Sequence, residues 1–259
     1  MAPPTKPTIL FVHGAFHGPE FFDALISPLN VAGYTSIKND LKLPSAELNS
    51  ASSLQQDIDV LRAMALQILD GEDGADCVVV MHSYGAVPVA EALRGLSREE
   101  RGDKATAVVK LVYLSCNIPQ VGDSHLNQVM VSFQELGLSS DLPVEVSDTG
   151  VIKFTGDTEF FYNGLPEDQK ASLLPNLTTQ SAASLITPLK GPLAYEKIPG
   201  WYLISKEDKA LPEEFQRVCI SVVGDMMEKV EEVDAGHSSF LVKPDVVADF
   251  IVRAVKSVS

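Results

Sequence analysis

Cysteine is scarce: three residues in 259, none in a Cys-x-x-Cys pair. That is too few for a disulfide framework and the wrong spacing for a thiolate metal site. Cys77 and Cys116 lie in or beside apolar runs, so buried reduced thiols are expected, which fits an intracellular compartment. Basic residues are also few. Twenty Lys and Arg face 35 Asp and Glu, for a formal net charge of −15. Such a surface repels nucleic acid and anionic membranes, so neither is an expected partner. No apolar run reaches the roughly 20 residues of a membrane span. The opening Met-Ala-Pro-Pro-Thr-Lys-Pro runs straight into Thr8–Val12, without the longer apolar stretch and cleavage site of a signal peptide. A cytoplasmic location is therefore expected. The acidic residues are dispersed, apart from Glu228, Glu231, Glu232 and Asp234, expected to be a solvated face beside a strand rather than a metal site.

What is present is ordinary globular composition, with 45% hydrophobic and 21% charged residues. One domain over 1–259 is the expectation. Short β-branched runs alternate with longer helical patterns. Thr8–Val12, Cys77–Met81, Val108–Leu114 and Trp201–Ser205 read as buried strands, with Tyr34–Ile37 and Lys229–Val233 as weaker ones. Helices are expected over Phe21–Ala32, Ser52–Leu69, Tyr84–Leu96, Pro212–Val223 and Pro244–Val258. This alternation predicts an α/β fold, a mostly parallel sheet flanked by helices on both faces. Residues 118–195 break the rhythm. A helix near Ser124–Leu136, a hairpin of Val144–Val146 and Val151–Phe154, and helical pieces in Pro166–Leu174 and Ser181–Leu185 are expected there. A stretch this long predicts an inserted, mainly helical cap between core segments 1–117 and 196–259.

The strongest chemical signal is Cys77-Val-Val-Val-Met-His-Ser-Tyr-Gly-Ala86. An apolar strand meets Ser83 and a helical pattern follows at once, the context of a nucleophile elbow. Met81 stands where G-x-S-x-G would place glycine, and Pro88 removes an early helical donor, so distorted first turns are expected. After the first strand comes His13-Gly-Ala-Phe-His-Gly18. Gly14 lets the backbone turn so that the N–H of Ala15, with that of Tyr84, can face the serine as an oxyanion hole. No third ligand accompanies His13 and His17 at metal spacing, so they are expected to be hydrogen-bonded scaffolding. Two further strand ends carry an acid and a histidine. Asp208 and Glu207 compete as the acid after Trp201–Ser205, and His237 ends a Gly-His turn. The order Ser…Asp…His suits this chemistry. Packing is expected of His82, whereas His125 is open between an exposed and a pocket-lining place.

These residues resemble an α/β-hydrolase subgroup that includes plant methyl-ester hydrolases and hydroxynitrile lyases. The likeness rests on Phe11-Val-His-Gly-Ala-Phe-His-Gly, Met81-His-Ser-Tyr-Gly, Phe161-Tyr-Asn-Gly-Leu-Pro, Asp208-Lys-Ala-Leu-Pro and Ala235-Gly-His-Ser-Ser-Phe, and covers nearly the whole chain. It implies an α/β-hydrolase fold, Asp208 rather than Glu207 as the acid, and oxyanion N–H groups on Ala15 and Tyr84. The lyases of the subgroup have threonine at the position of Gly14 and lysine at that of Ser238, so the resemblance favours ester chemistry over cyanide release. No cofactor or metal is called for. The cap contains no arginine and three lysines, Lys153, Lys170 and Lys190. An apolar chamber with Phe16 and Tyr84 among its substrate-contacting walls is expected, fit for a small neutral ester or lactone. Carbon–carbon bond hydrolysis, or non-hydrolytic use of the same pocket as receptor, cyclase or lyase, are the alternatives.

Overall fold

The computed structural model describes residues 6–38, 42–49, 51–102, 105–139 and 141–258. The residues before position 6, on which the expectation about the chain's start rests, lie outside that description. Strands β1 (Thr8–Val12), β2 (Ser36–Lys38), β3 (Cys77–His82) and β4 (Val108–Leu114) come first. Next in the chain are β5 (Val144–Val146), β6 (Val151–Phe154) and β7 (Thr179–Ser181). The last are β8 (Gly200–Ser205) and β9 (Met227–Val233).

Six of them form a sheet in the order β2-β1-β3-β4-β8-β9, every neighbouring pair parallel. Every residue of β1, β3 and β8 is buried, so neither face of the sheet centre is open to water. This explains why these strands read as unbroken apolar runs. The covering helices pack in two groups, Asp23–Val31 against Pro244–Lys256 and Leu54–Asp70 against Ala86–Ala92. From β1 the chain steps to β2 on one side and then crosses back to β3 on the other. The gap between the carboxyl ends of β1 and β3 is thus the topological switch point, where a crevice forms without further construction.

Several element limits differ from the sequence expectation for local reasons. The expected helix Phe21–Ala32 opens with a 3-10 turn, Pro19–Phe22, before Asp23–Val31. The expected helix Tyr84–Leu96 is a 3-10 turn over Ser83–Gly85 followed by Ala86–Ala92. Pro88 falls in the first turn, where its missing N–H has no intrahelical carbonyl to serve. Past the end of this helix the chain turns at Gly95, whose φ is +79°. Strand β2 begins two residues later than expected. The acidic cluster on β9 is a paired edge: Glu231 bonds Arg253, Glu232 bonds Arg217, Glu228 bonds Lys110 and Asp234 bonds Lys206. The Arg253 guanidinium holds the Glu231 carboxyl down to about 2.

The segment 118–195 carries the helix His125–Leu136 and the expected β5–β6 hairpin. It also holds a strand that polar sequence concealed: β7, Thr-Gln-Ser, pairs antiparallel with β6. Gln180 on β7 is fully buried and its Nε2 donates to Ser45 and Ser184 at 2.9 and 2.8 Å. Ser45 in turn bonds Asp57, a fully buried carboxylate on the apolar face of Leu54–Asp70. Burial pushes the Asp57 pKa up, against the donors that surround it. Among the described residues no helix is long and apolar enough to cross a membrane.

Asp57 accepts hydrogen bonds from Ser45 and from the Tyr84 hydroxyl at 2.9 Å. Asp57→Ala leaves these buried donors unpaired and is expected to cost about 2–3 kcal/mol, measured by urea unfolding. Asp57→Asn, which keeps an acceptor, is expected to cost less.

Candidate active site

Ser83 follows β3 directly and opens the 3-10 turn in the left-handed region, with φ +53°, and the helix Ala86–Ala92 comes next. A non-glycine residue is strained there, at a cost on the order of 1–3 kcal/mol, and is held only when its surroundings dictate it. Those surroundings are two glycines. A Cβ on Gly85 would lie 2.8 Å from the carbonyl oxygens of both Val12 and His13. One on Gly14 would lie 3.0 Å from Ser83 Cβ and 3.1 Å from His82 Nδ1. Missing side chains therefore let the β1 loop close over the serine. Met81, at the position of the absent glycine, points into the core and is fully buried.

The β1 loop is tied from both sides. His13 accepts from the Leu43 N–H at 2.9 Å, and its Nδ1 meets the Gly14 carbonyl. His17 Nδ1 lies 2.6 Å from the Ala15 carbonyl, and its Nε2 lies 3.1 Å from the Tyr162 hydroxyl. Burial lowers the pKa of His13 to about 4 and of His17 to about 3. Both rings are neutral scaffolding near pH 7. Tyr84, second in the 3-10 turn, has no carbonyl within that turn for its N–H. The N–H groups of Ala15 and Tyr84 are thus carried on the two loops that meet at Ser83.

On the far side, Asp208 and His237 form a buried pair, with Oδ2 2.7 Å from Nδ1. The other oxygen of Asp208 accepts from the N–H groups of Ala210 and Leu211, each at 2.8 Å. Glu207 is exposed and contributes only backbone, its carbonyl accepting from Asn163 at 2.7 Å. His82 packs under His237, with ring centroids 4.6 Å apart, and its Nε2 meets the His237 carbonyl at 3.1 Å. Burial drives the His82 pKa well below its usual value, so it adds no charge beside His237.

Ser83 and His237 open together onto a chamber of about 190 Å³. No direct hydrogen bond joins their side chains, a looseness common before substrate binds. The walls are Phe16, Phe154, Phe161, Val129, Leu185 and other apolar side chains, with no lysine, arginine or carboxylate among the described residues that line it. Phe16 lines it as expected. Tyr84 does not, which corrects the expectation of a substrate-contacting ring: the side chain is 1% exposed and its hydroxyl reaches back to Asp57. His125, whose place the sequence left open, lines the chamber. A larger open groove by Lys6, Lys38, Gln67 and Glu72 lies at the starts of the strands, away from all these groups.

Three groups that sequence reasoning passed over complete the site. Asn163 sits 2.7 Å from the Glu207 carbonyl and directly over Gly236, where a Cβ would lie 2.1 Å from its Oδ1. Gln216 braces the strand before the acid, bonding Ser205 at both its N–H and its carbonyl. Asp57 was visible as a carboxylate three residues from Leu54 on an apolar face, a placement that signals a buried partner.

A parallel sheet with a strained serine after β3, an acid after β8 and a histidine after β9 defines a class, and direct comparison agrees. The model of the alpha/beta hydrolase family matches residues 9–250, and the chain belongs to that family. It is 31% identical over 256 residues to "Probable hydrolase R7" of Phoma sp., covering 96% of this chain and 98% of that protein. It is 27% identical to "Alpha/beta hydrolase nvfD" of Aspergillus novofumigatus, with 96% of each covered. Among solved structures, polyneuridine aldehyde esterase superposes with a TM-score of 0.74 at 16% identity, over 96% of this chain and 99% of that one. A pyrethroid hydrolase from Sphingobium faniae gives 0.70 at 17% identity, over 97% and 98%. These distant structures share the fold.

Gly85→Ala must displace two backbone oxygens, and a cost of about 3 kcal/mol is expected in urea unfolding. Gly14→Ala meets Ser83 Cβ at 3.0 Å and the His82 carbonyl oxygen at 3.3 Å, looser contacts than those at Gly85, and about 1 kcal/mol is expected. Equal costs would mean that the β1 loop does not clamp the elbow as described.

Proposed function

We propose that this protein is a serine esterase acting on small, neutral, fairly hydrophobic esters or lactones. The observation that carries the proposal is the buried Asp208–His237 bond of 2.7 Å, opening with the strained Ser83 onto one uncharged apolar chamber. Asp208 fixes the imidazole with its proton on Nδ1, leaving Nε2 as the base. Ser83 Oγ attacks the ester carbonyl while His237 Nε2 takes its proton. The oxyanion that forms accepts from the N–H groups of Ala15 and Tyr84, a preorganised pair whose single members are each worth about 10²–10³ in rate. His237 returns the proton to the departing alcohol, leaving an acyl group on Ser83. Water, deprotonated by His237, attacks that acyl group and releases the acid.

The uncharged walls support a neutral substrate. A carboxylate brought into this chamber would lose its hydration without meeting a cation to balance its charge. The modest volume supports a small acyl or alcohol portion. The esterase and hydrolase names of the structural neighbours support the same chemistry. Lyase chemistry lacks a cation beside His237: its neighbour Ser238 is a fully buried hydroxyl.

A fluorophosphonate probe is expected to label the wild type at Ser83 and to leave Ser83→Ala unlabelled. Asp208→Asn is expected to lower kcat by about 10⁴, as loss of the orienting acid does in a serine triad. Neutral alkyl and aryl esters are expected to surpass their anionic counterparts in kcat/KM. A preference for anionic esters would contradict the proposal.

A further inference from the structure

Among the described residues, three side chains on the chamber wall carry polar groups: Ser83, His237 and His125. The first two have roles in the proposed reaction, and His125 has none. Its hydrogen bonds fix its state. Asn117 Nδ2 lies 3.0 Å from the His125 carbonyl and 3.0 Å from His125 Nδ1. A carbonyl oxygen only accepts, so that amide atom is the donor, and its second hydrogen serves the ring nitrogen. Nδ1 is therefore the acceptor, and the proton of the neutral ring sits on Nε2. Burial lowers the ring's pKa to about 4, so the neutral form holds at neutral pH.

The ring is also held in place. Tyr84 packs edge-on against it, centroids 5.6 Å apart at 76°, and the Tyr84 hydroxyl is itself anchored on Asp57. Asn117 is fully buried. Among the described residues no acceptor meets the Nε2–H, and with His125 only part-buried Nε2 is not one of the buried atoms left without a partner. A fixed donor thus stands in an otherwise apolar wall, beyond the two groups that perform the chemistry.

We propose that His125 is a specificity-determining residue, donating from Nε2–H to a second neutral oxygen of the substrate, an ether, ketone or further ester oxygen outside the scissile group. A substrate with only methylenes there leaves the donor unpaired, and sites built around one hydrogen bond discriminate strongly against analogues that lack the partner. This assignment rests on the esterase reading for the identity of the scissile group, but not for the donor itself.

The test uses methyl esters of straight-chain acids in which one methylene at successive positions is replaced by an ether oxygen. At one position the oxa ester is expected to surpass its methylene parent by about tenfold or more in kcat/KM. His125→Phe is expected to abolish that preference, and His125→Gln, which keeps a donor, to retain part of it. Calorimetric binding to Ser83→Ala separates the two proposals, because it requires no turnover. The same positional preference in Ser83→Ala, lost in Ser83→Ala with His125→Phe, supports the donor role even if no ester is cleaved. Equal binding at every position, no binding of any member, or a preference that survives His125→Phe would overturn it. So would a ¹⁵N spectrum showing the His125 proton on Nδ1.

Discussion

The site depends on one constraint, the left-handed backbone at Ser83. The turn from strand to helix is sharp, and the residue that takes the left-handed conformation in it is not glycine. The cost is met by packing. Gly85 lets the turn press against the carbonyls of Val12 and His13, and Gly14 lets the neighbouring loop close to Ser83 Cβ. The result is a hydroxyl at the sheet's carboxyl edge, at the switch point where β1 and β3 part.

Around that turn the protein places polar groups in a dry interior and keeps nearly all of them uncharged. His13, His17, His82 and His125 are all shifted toward neutrality by burial. Each holds a carbonyl, an N–H or a neighbouring side chain in place. The short segment 161–163 then joins the loops. Tyr162 bonds His17 on the β1 loop, Asn163 bonds the Glu207 carbonyl on the acid's loop, and the Phe161 carbonyl accepts from the Ser238 N–H beside the histidine. From β7, Gln180 reaches Ser45, which bonds Asp57, the anchor of Tyr84. The segment 118–195 thus ties together the loops that carry Gly14, Asp208 and His237.

Much of this was legible in the sequence because buried parallel strands leave continuous apolar runs, and because strand ends show where chemistry can sit. Ser83, Asp208 and His237 were each visible at such an end, and the β5–β6 hairpin was read with its observed limits. Glu207 and Asp208 could not be separated by spacing, since both lie on one exit loop; in the structure Asp208 is buried against His237 and Glu207 is exposed. Strand β7 was hidden because Thr-Gln-Ser has no hydrophobic alternation, its interior place being secured by hydrogen bonds. Tyr84 was misplaced for a related reason. Its adjacency to the serine suggested the chamber, whereas a buried carboxylate far earlier in the chain draws its hydroxyl the other way.

The central claim is that this geometry makes Ser83 a transient acyl acceptor. Mass spectrometry of the protein quenched during turnover of a slowly deacylating neutral ester tests it most directly. An added acyl mass on the peptide containing Ser83, rising before steady state and absent in His237→Ala, is the predicted result. Ester turnover with no acylated Ser83, or with the acyl group on another residue, would contradict the account.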